Sequence, residues 1–135
     1  MSNVLFTPIF VYILWISFIY VILTIMRAPS VWGIGRNSNG TNPFSNIEVR
    51  ASANLSNQFE WPVIFWVISL ILIARPEFYQ TVYLWLTWLF VFGRLVHSLI
   101  HIFTTNIRLR GMVFNINFLA VLMMWGVFAL NYFNL

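Results

Sequence analysis

The chain has 135 residues, of which 61% are hydrophobic and only 7% are charged, and its net charge is +4. Because a soluble domain carries about 25% charged residues, this composition indicates an integral membrane protein. Cysteine and lysine are both absent, which excludes disulfides, thiolate metal ligands, a cysteine nucleophile and Schiff-base chemistry. The arginines form no basic run with interleaved aromatics, so we expect no nucleic-acid partner.

The first predicted element is a membrane-spanning helix over residues 4–26, which carry no charge. A stretch of this length crosses a hydrocarbon core of about 30 Å. No basic residue precedes it and no small-residue cleavage site follows, so we expect a retained span rather than a signal peptide. We expect Arg27 and Pro29 to end this helix. Residues 32–43 are rich in Gly, Asn and Ser and predict the one long loop.

The second predicted helix runs over residues 46–74, with Ser45 or Asn46 as its N-cap and Glu48 favouring its N-terminus. Pro62 lies inside it, where proline is expected to kink the helix and free a carbonyl group. The first three turns are polar along one side. The residues of this stripe are Arg50, Asn54, Asn57 and Glu60.

A tight turn over residues 75–77 leads to a third predicted helix over 78–104. A short polar connection over 106–111 then leads to a fourth helix over 111–133. The third helix contains an arginine and two histidines that share one face, because their spacing is i, i+3 and i+7. These residues are Arg94, His97 and His101. The chain is therefore predicted to be an all-α four-helix bundle with four spans and a single domain, residues 1–135.

Four spans place both termini on one side of the membrane, and the arginines are distributed unevenly between the two sides. The termini side receives only Arg75 and Glu77. By the positive-inside rule, the long loop and the last connection face the cytoplasm and both termini face outward. The arginines on the predicted cytoplasmic side are Arg27, Arg36, Arg50, Arg108 and Arg110.

The polar stripes of the second and third predicted helices match in depth, because a tight turn makes these helices antiparallel neighbours. A lone charge at the depth of Glu60 or Arg94 costs about 2.5–3.5 kcal/mol. We therefore expect these two side chains to form a buried ion pair. Such a polar ladder is equally compatible with a purely structural role, since polar contacts join transmembrane helices. The other predicted pairs are Asn57 with His97 and Asn54 with His101.

Three chemistries fit these residues. His97 and His101 have the i, i+4 spacing of metal ligands, but the chain has only two histidines and no cysteine, so no metal site is expected. A proton relay along the stripe is possible, although the chain has no internal repeat. The third chemistry is an anionic ligand at the cytoplasmic mouth, with a lipid-soluble second substrate arriving from the bilayer. Its carboxylates would bind Arg50, Arg108 and Arg110, with Arg36 as a further candidate, and its polar groups would bind the amides of Asn54 and Asn57.

Three motifs resemble the MAPEG family, the membrane-associated proteins of eicosanoid and glutathione metabolism. Residues 50–55, Arg-Ala-Ser-Ala-Asn-Leu, are similar to the Arg-Ala-x-x-Asn-Leu segment that opens the family's second helix. Residues 57–65 resemble the Asn-x-Phe-Glu-x-Pro-Val-x-Phe signature of a bacterial branch. The same branch shows Arg-x-x-His-Ser-x-x-His and then Asn, Arg and Phe, which fall on Arg94, His97, Ser98, His101, Asn106, Arg110 and Phe114.

The resemblance implies a homotrimer of four-span protomers in which glutathione binds between protomers near the cytoplasmic side. It implies that Arg50, Asn54 and Arg94 contact glutathione and that Arg110, or alternatively Arg108, stabilises the thiolate. One alignment frame puts Asn57 where glutathione-using members have glutamate, and the bacterial frame assigns that glutamate to Glu60. The same comparison adds His97 and His101 to the expected glutathione-binding residues.

The activity that the resemblance implies is a glutathione-dependent transferase or peroxidase in the membrane, acting on hydrophobic electrophiles or lipid hydroperoxides. His97 stands where eicosanoid-producing members often have histidine or tyrosine, and His101 where they often have tyrosine, so leukotriene or prostaglandin synthesis is not expected. The expected location is a bacterial inner membrane, with glutathione as co-substrate and membrane lipid as a neighbour. The alternative is a non-enzymatic membrane protein that binds a lipid or a small anionic ligand at its protomer interface.

Overall fold

The computed structural model describes residues 2–134, and the regular secondary structure in this part of the chain is entirely helical. Met1 and Leu135, the ends of the predicted domain, lie outside the described residues. Two 3-10 helices, Ser2–Leu5 and Pro76–Phe78, accompany five α-helices. The α-helices are α1 (Phe6–Trp32), α2 (Ser45–Asn57), α3 (Val63–Ala74), α4 (Thr81–Phe103) and α5 (Ile107–Tyr132).

Three of these helices, α1, α4 and α5, are long and apolar enough to cross a membrane, and α3 is apolar but shorter. Large apolar side chains stand exposed on their outer surfaces. Soluble proteins rarely expose such extended apolar areas, so these surfaces suit contact with lipid. The protein is an all-helical integral membrane protein. Examples of the exposed side chains are Phe10, Leu14, Trp85, Phe92 and Leu119.

The predicted end of the first helix is wrong, because α1 continues through Arg27 and Pro29 to Trp32. Gly33 ends it with a left-handed backbone, φ 74°, which glycine adopts without steric cost. The guanidinium Nε of Arg36, in the following loop, donates a hydrogen bond to the carbonyl oxygen of Pro29 at 2.7 Å. A side-chain donor from the loop therefore satisfies one of the carbonyls that the end of the helix leaves without a backbone partner.

The second predicted helix, 46–74, is two helices rather than one kinked helix. The chain leaves the helical path at Gln58 and returns to it at Val63, directly after Pro62. Proline has no backbone N–H, and its ring disfavours a helical conformation for the residue before it. Together these effects break the helix instead of bending it. The break at residues 58–62 decides which polar side chains face inward.

The helix N-termini also differ from the predictions. Helix α2 already includes Ser45 and Asn46, and neither acts as a capping residue. Asn106 caps α5, since its Oδ1 accepts a hydrogen bond from the backbone N–H of Leu109 at 3.0 Å. The predicted connection 106–111 is therefore mostly helical, because this cap starts the helix early. Arg108 and Arg110 lie in the first turns of α5.

Helices α4 and α5 form the most extensive helix pair. Only residues 104–106 separate them, so they run antiparallel. Gly93 permits their close approach, because a Cβ atom at that position would lie 1.8 Å from Oδ1 of Asn117. Aromatic rings fill the space between α1, α3 and α4: the Phe65 and Phe90 rings stack with centroids 4.0 Å apart, and Tyr12 meets Phe65 edge-on at 5.9 Å.

Candidate functional site

A buried hydrogen-bond network joins α1, α2 and α4, and Gln58 lies at its centre. Its Oε1 accepts hydrogen bonds from the Tyr12 hydroxyl at 2.8 Å and from Arg94 Nε and Nη2 at 3.1 and 3.0 Å. Its Nε2 donates to Asn54 Oδ1 at 3.2 Å and to Ser98 Oγ at 3.0 Å. Both Gln58 and Arg94 are fully buried. The side-chain amide of Gln58 thus ties three helices together at the break in the second span.

The predicted ion pair between Glu60 and Arg94 is not formed. Besides Gln58, Arg94 binds Asn57, through the backbone oxygen at 3.1 Å and through Oδ1 at 2.9 Å. Glu60 is exposed and lines a separate cavity of about 530 Å³ together with Arg27. The prediction assumed a continuous helix, whereas α2 ends at Asn57 and the break turns Glu60 away from α4.

The ion pairs within residues 2–134 lie elsewhere. Arg27 Nε binds Glu48 Oε1 at 3.0 Å, and Arg75 binds Glu77 in the turn before α4. Arg94 therefore has neutral partners only, and its Nη1 is buried without a hydrogen bond in the described part of the chain. Neutral acceptors satisfy this buried cation in place of a carboxylate.

The predicted pairing of Asn54 with His101 is confirmed, because Asn54 Nδ2 lies 3.4 Å from His101 Nδ1. Asn57 and His97 line the same cavity, as their matching depths predicted. The two histidine rings stand nearly perpendicular, with centroids 5.7 Å apart. The depth match between α2 and α4 therefore holds as far as the helix break.

Two adjoining cavities with charged and polar residues in their walls lie where α4 ends and α5 begins. The larger has a volume of about 370 Å³ and the smaller about 230 Å³. Both are lined by His101, Ile107 and Arg110. Asn57 and His97 line the larger cavity only, and Arg50 lines the smaller. Five of the predicted site residues thus meet around one recess, while Asn54 lies buried behind His101.

The two candidate catalytic arginines have different surroundings. Arg110 is half-buried and lines both cavities. Arg108 is exposed and lines neither of them. Residues two positions apart on a helix point about 200° apart around its axis, so only one of the pair faces the recess. Arg110 is the arginine in position to contact a ligand there.

The sequence profile of the MAPEG family matches residues 5–130, nearly the whole chain. The chain belongs to the MAPEG family. The resemblance drawn from the motifs at residues 50–55 and 57–65 is thereby confirmed. In comparisons with curated proteins and with solved structures, nothing matches this MAPEG chain significantly.

Sequence reasoning missed two residues of the network in this MAPEG chain, Gln58 and Tyr12. Gln58 lies one helical turn after Asn54 on the same face, but it is neutral, and the charged Glu60 was taken as the partner of Arg94 instead. A signal was nevertheless available. Gln58 shares the face of Asn54 at the i, i+4 spacing, and a buried arginine requires acceptors.

The MAPEG chain also has an apolar groove of about 330 Å³ between α1, α2 and α4. Ala51 lines this groove, whereas the preceding Arg50 lines the smaller polar cavity. Similarly, Ile102 lines the groove and the preceding His101 lines the cavities. The contact between α2 and α4 therefore has a polar side and an apolar side. The groove is lined by Trp15, Phe18, Ile19, Ile22, Met26, Ala51, Leu99, Ile102 and Phe103.

Proposed function

We propose that this MAPEG protein is a glutathione-dependent transferase or peroxidase of the membrane, acting on hydrophobic electrophiles or lipid hydroperoxides. The observation that supports the proposal is the meeting of Arg50, Arg110 and His101 around two adjoining cavities at one end of the bundle. Two half-buried guanidinium groups and an imidazole suit an anionic peptide ligand. The apolar groove beside them suits a lipid-soluble second substrate.

The residues of the recess fit glutathione chemically. Arg50 and Arg110 are fixed cations whose forked donors match carboxylates. Asn57, Asn115 and His97 line the larger cavity and supply polar groups along a peptide. Bound glutathione supplies the thiol nucleophile that this chain, without cysteine, does not have.

Arg110 is the residue to which we assign thiolate stabilisation. A guanidinium group near a thiol favours the charged thiolate and so lowers the thiol pKa. Arg50 lines the smaller cavity and would bind a carboxylate, which orients the peptide without touching the sulfur. Binding and activation are thus divided between α2 and α5. Arg94 lies beneath the recess, bound to Asn57, and acts as an anchor for this lining residue.

We further propose the assembly and location that go with this function. The protein is a homotrimer of four-span protomers in a bacterial inner membrane, with α2 and α3 together forming the second span. Both termini face outward, and the loop before α2 faces the cytoplasm. An outer surface that carries Ser52 and Ser56 of α2 and Glu60 of the break after it supports assembly, since polar groups at membrane depth favour contact with protein or water over lipid.

The test measures glutathione binding to the purified protein in detergent, together with the ultraviolet absorbance of the thiolate. We expect binding and a rise in thiolate absorbance. Arg110→Ala should abolish the absorbance rise, while Arg108→Ala, two residues away, serves as the matched control and should keep it. Absence of binding at millimolar glutathione with the trimer intact would overturn the proposal. Loss of the signal in the Arg108 variant alone would transfer the role to that residue.

The apolar groove supports a second candidate, a non-enzymatic protein that binds a lipid or a small anion at its protomer interface. Every residue that lines the groove is apolar, which suits an acyl chain. A measurement of turnover of a hydrophobic electrophile distinguishes the enzyme from the non-enzymatic binding protein. A protein that binds lipid in the groove but neither forms thiolate nor consumes a hydrophobic electrophile would support this second function.

A further inference from the structure

The hydrogen-bond chain that runs from Arg94 to His101 has a fixed direction. Its members are Arg94, Gln58, Asn54 and His101, in that order. We infer that this chain holds His101 as the Nε2–H tautomer, so that His101 donates a hydrogen bond to an acceptor of the ligand in the recess. The identity of that ligand, the carboxylate-bearing peptide, rests on the proposed function. The tautomer itself does not.

The direction begins at Arg94, because a guanidinium group only donates hydrogen bonds. Its Nε and Nη2 both lie about 3 Å from one terminal atom of the Gln58 amide, and the Tyr12 hydroxyl lies 2.8 Å from the same atom. A nitrogen there would oppose donor to donor at two short contacts. The amide oxygen of Gln58 must therefore face Arg94, and its nitrogen must face the other way.

The side-chain nitrogen of Gln58 determines the orientation of the Asn54 side-chain amide. Nε2 only donates, and it lies 3.2 Å from one terminal atom of Asn54 and 3.0 Å from Ser98 Oγ. The atom of Asn54 that faces it must be the oxygen, which leaves the Asn54 nitrogen on the opposite side. Both amides are fully buried, so water does not compete for these groups.

The side-chain nitrogen of Asn54 in turn determines the tautomer of the His101 imidazole. Asn54 Nδ2 lies 3.4 Å from His101 Nδ1, and this ring nitrogen must be the acceptor. A neutral imidazole carries one proton, which is therefore on Nε2. No residue from 2 to 134 forms a hydrogen bond with that Nε2. Because the His101 ring lines both cavities beside Arg110, its free N–H is available to a ligand.

The consequence is a specificity role for His101 and a positioning role for Gln58 and Asn54. An Nε2–H group binds acceptors such as carboxylate or carbonyl oxygens and does not accept a proton from a ligand. Arg110 and His101 thus present donors from two helices to the same space. Gln58 and Asn54 do not line this space and act on the ligand only through the ring.

The first measurement is the ¹⁵N NMR spectrum of the histidine side chains in the full-length protein, in detergent at pH 8 and without glutathione. An imidazole of ordinary pKa, about 6.5, is neutral there. The chain has only two histidines, so a His97→Gln variant assigns the rings. We expect the protonated-nitrogen resonance of His101 to be Nε2. A protonated Nδ1 would overturn the inference.

The second measurement reverses the donor-to-acceptor direction of the hydrogen-bond chain. It uses Gln58→Glu, a substitution that keeps nearly the same side-chain shape. A carboxylate accepts on both oxygens, so Asn54 must turn its nitrogen toward residue 58 and its oxygen toward His101. We expect the His101 proton to move to Nδ1. Tyr12→Phe is the matched control: it removes one donor to the same Gln58 oxygen without changing the direction, and it should leave the tautomer unchanged.

A folded Gln58→Glu protein with an unchanged tautomer would contradict the inference. If that variant does not fold, Asn54→Asp makes the same test one step closer to the ring, since the carboxylate accepts only and should also place the proton on Nδ1. In the wild-type protein, added glutathione should shift the His101 Nε2 resonance. Bound glutathione without this shift would overturn the ligand contact. Failure of glutathione to bind at all, with Nε2 protonated, would refute the proposed function alone.

Discussion

Arg94 donates two hydrogen bonds to a single oxygen atom of Gln58, from Nε at 3.1 Å and from Nη2 at 3.0 Å. Both side chains are fully buried, and the pair lies between α4 and the break that separates α2 from α3. A buried cation is costly unless its donors are satisfied. This neutral amide therefore stabilises a charge that usually requires a carboxylate.

Removal of the Gln58 amide should destabilise the protein strongly. We expect Gln58→Leu to lower the free energy of unfolding by about 3–5 kcal/mol, because Arg94 loses two hydrogen bonds and each bond to a charged group contributes about 1.5–3 kcal/mol. Glu60→Gln is the control, because Glu60 is exposed and has no hydrogen bond to Arg94. Thermal unfolding in detergent compares the two. An equal loss in both variants would mean that Glu60 also holds the arginine.

The approach of α4 to α5 should be sensitive to one methyl group. A Cβ atom at Gly93 would lie 1.8 Å from Asn117 Oδ1 and 2.8 Å from its Cγ, both in the buried side chain. We expect Gly93→Ala to destabilise the protein by about 1–3 kcal/mol through overpacking. Thermal unfolding in detergent provides the measurement.

Gly126 provides the control for this substitution, because a Cβ atom there would have no neighbour within 4 Å. Gly126 lies inside α5, as Gly93 lies inside α4, so Gly126→Ala should be neutral or stabilising by up to about 1 kcal/mol. The double variant Gly93→Ala with Asn117→Ala should recover part of the lost stability, since the second change removes the obstructing amide. No recovery would indicate that the helix backbones, not Asn117, oppose the methyl group.

Arg50 should contribute to affinity and not to thiol activation. It lines the smaller cavity, and its Nε donates to the backbone oxygen of Asn46 at 3.4 Å. We expect Arg50→Ala to weaken glutathione binding about tenfold, the effect of losing one hydrogen bond to a charged group. The thiolate absorbance at saturating glutathione should be unchanged. Isothermal titration calorimetry measures the affinity, and Arg75→Ala, in the turn before α4, is the charge-matched control.

The turn before α4 contains a pH-dependent contact outside the membrane spans. A side-chain hydrogen bond from Arg75 lowers the pKa of Glu77 below its ordinary value of 4.5. A lowered pKa means that this contact stabilises the fold at pH values above 4.5, and that the contribution is lost as the pH falls through the lowered value. Both side chains are exposed, so solvent screening keeps the effect small.

Carboxyl NMR titration tests this contact directly. Arg75→Gln should raise the pKa of Glu77 toward 4.5, because it removes the cationic donor. The thermal stabilities of the two proteins should differ slightly at neutral pH and converge in acid. An unchanged Glu77 titration in the variant would show that the backbone, rather than Arg75, lowers its pKa.

The apolar stretches predicted the three long membrane helices α1, α4 and α5, because an apolar run of this length has few alternatives. The matching depths of the second and third predicted helices could also be predicted from the sequence, and they paired Asn54 with His101 correctly. The residues at which helices end were harder to predict from the sequence. The end of α1 at Trp32 is set by the left-handed Gly33, and Arg36 of the following loop hydrogen-bonds the Pro29 carbonyl there.

The partner of Arg94 was predicted wrongly, because the prediction continued one helix through residues 58–62, where the structure breaks it. On a continuous helix, Glu60 would share a face with Asn57 and meet Arg94. In the structure Gln58 faces inward one turn after Asn54, and the break between α2 and α3 turns Glu60 outward. A local break of this kind changes the facing of every side chain that follows it.

The sequence by itself determined that this is a helical membrane protein of the MAPEG family, because composition and ordered motifs do not require knowledge of packing. It also placed an arginine and two histidines on one face of a span. Only the tertiary structure decided that Gln58 holds Arg94 and that Arg110, not Arg108, faces the recess. The physical reason is the same in both cases: the rotation of a helix about its axis is set by where it starts and breaks, which packing controls.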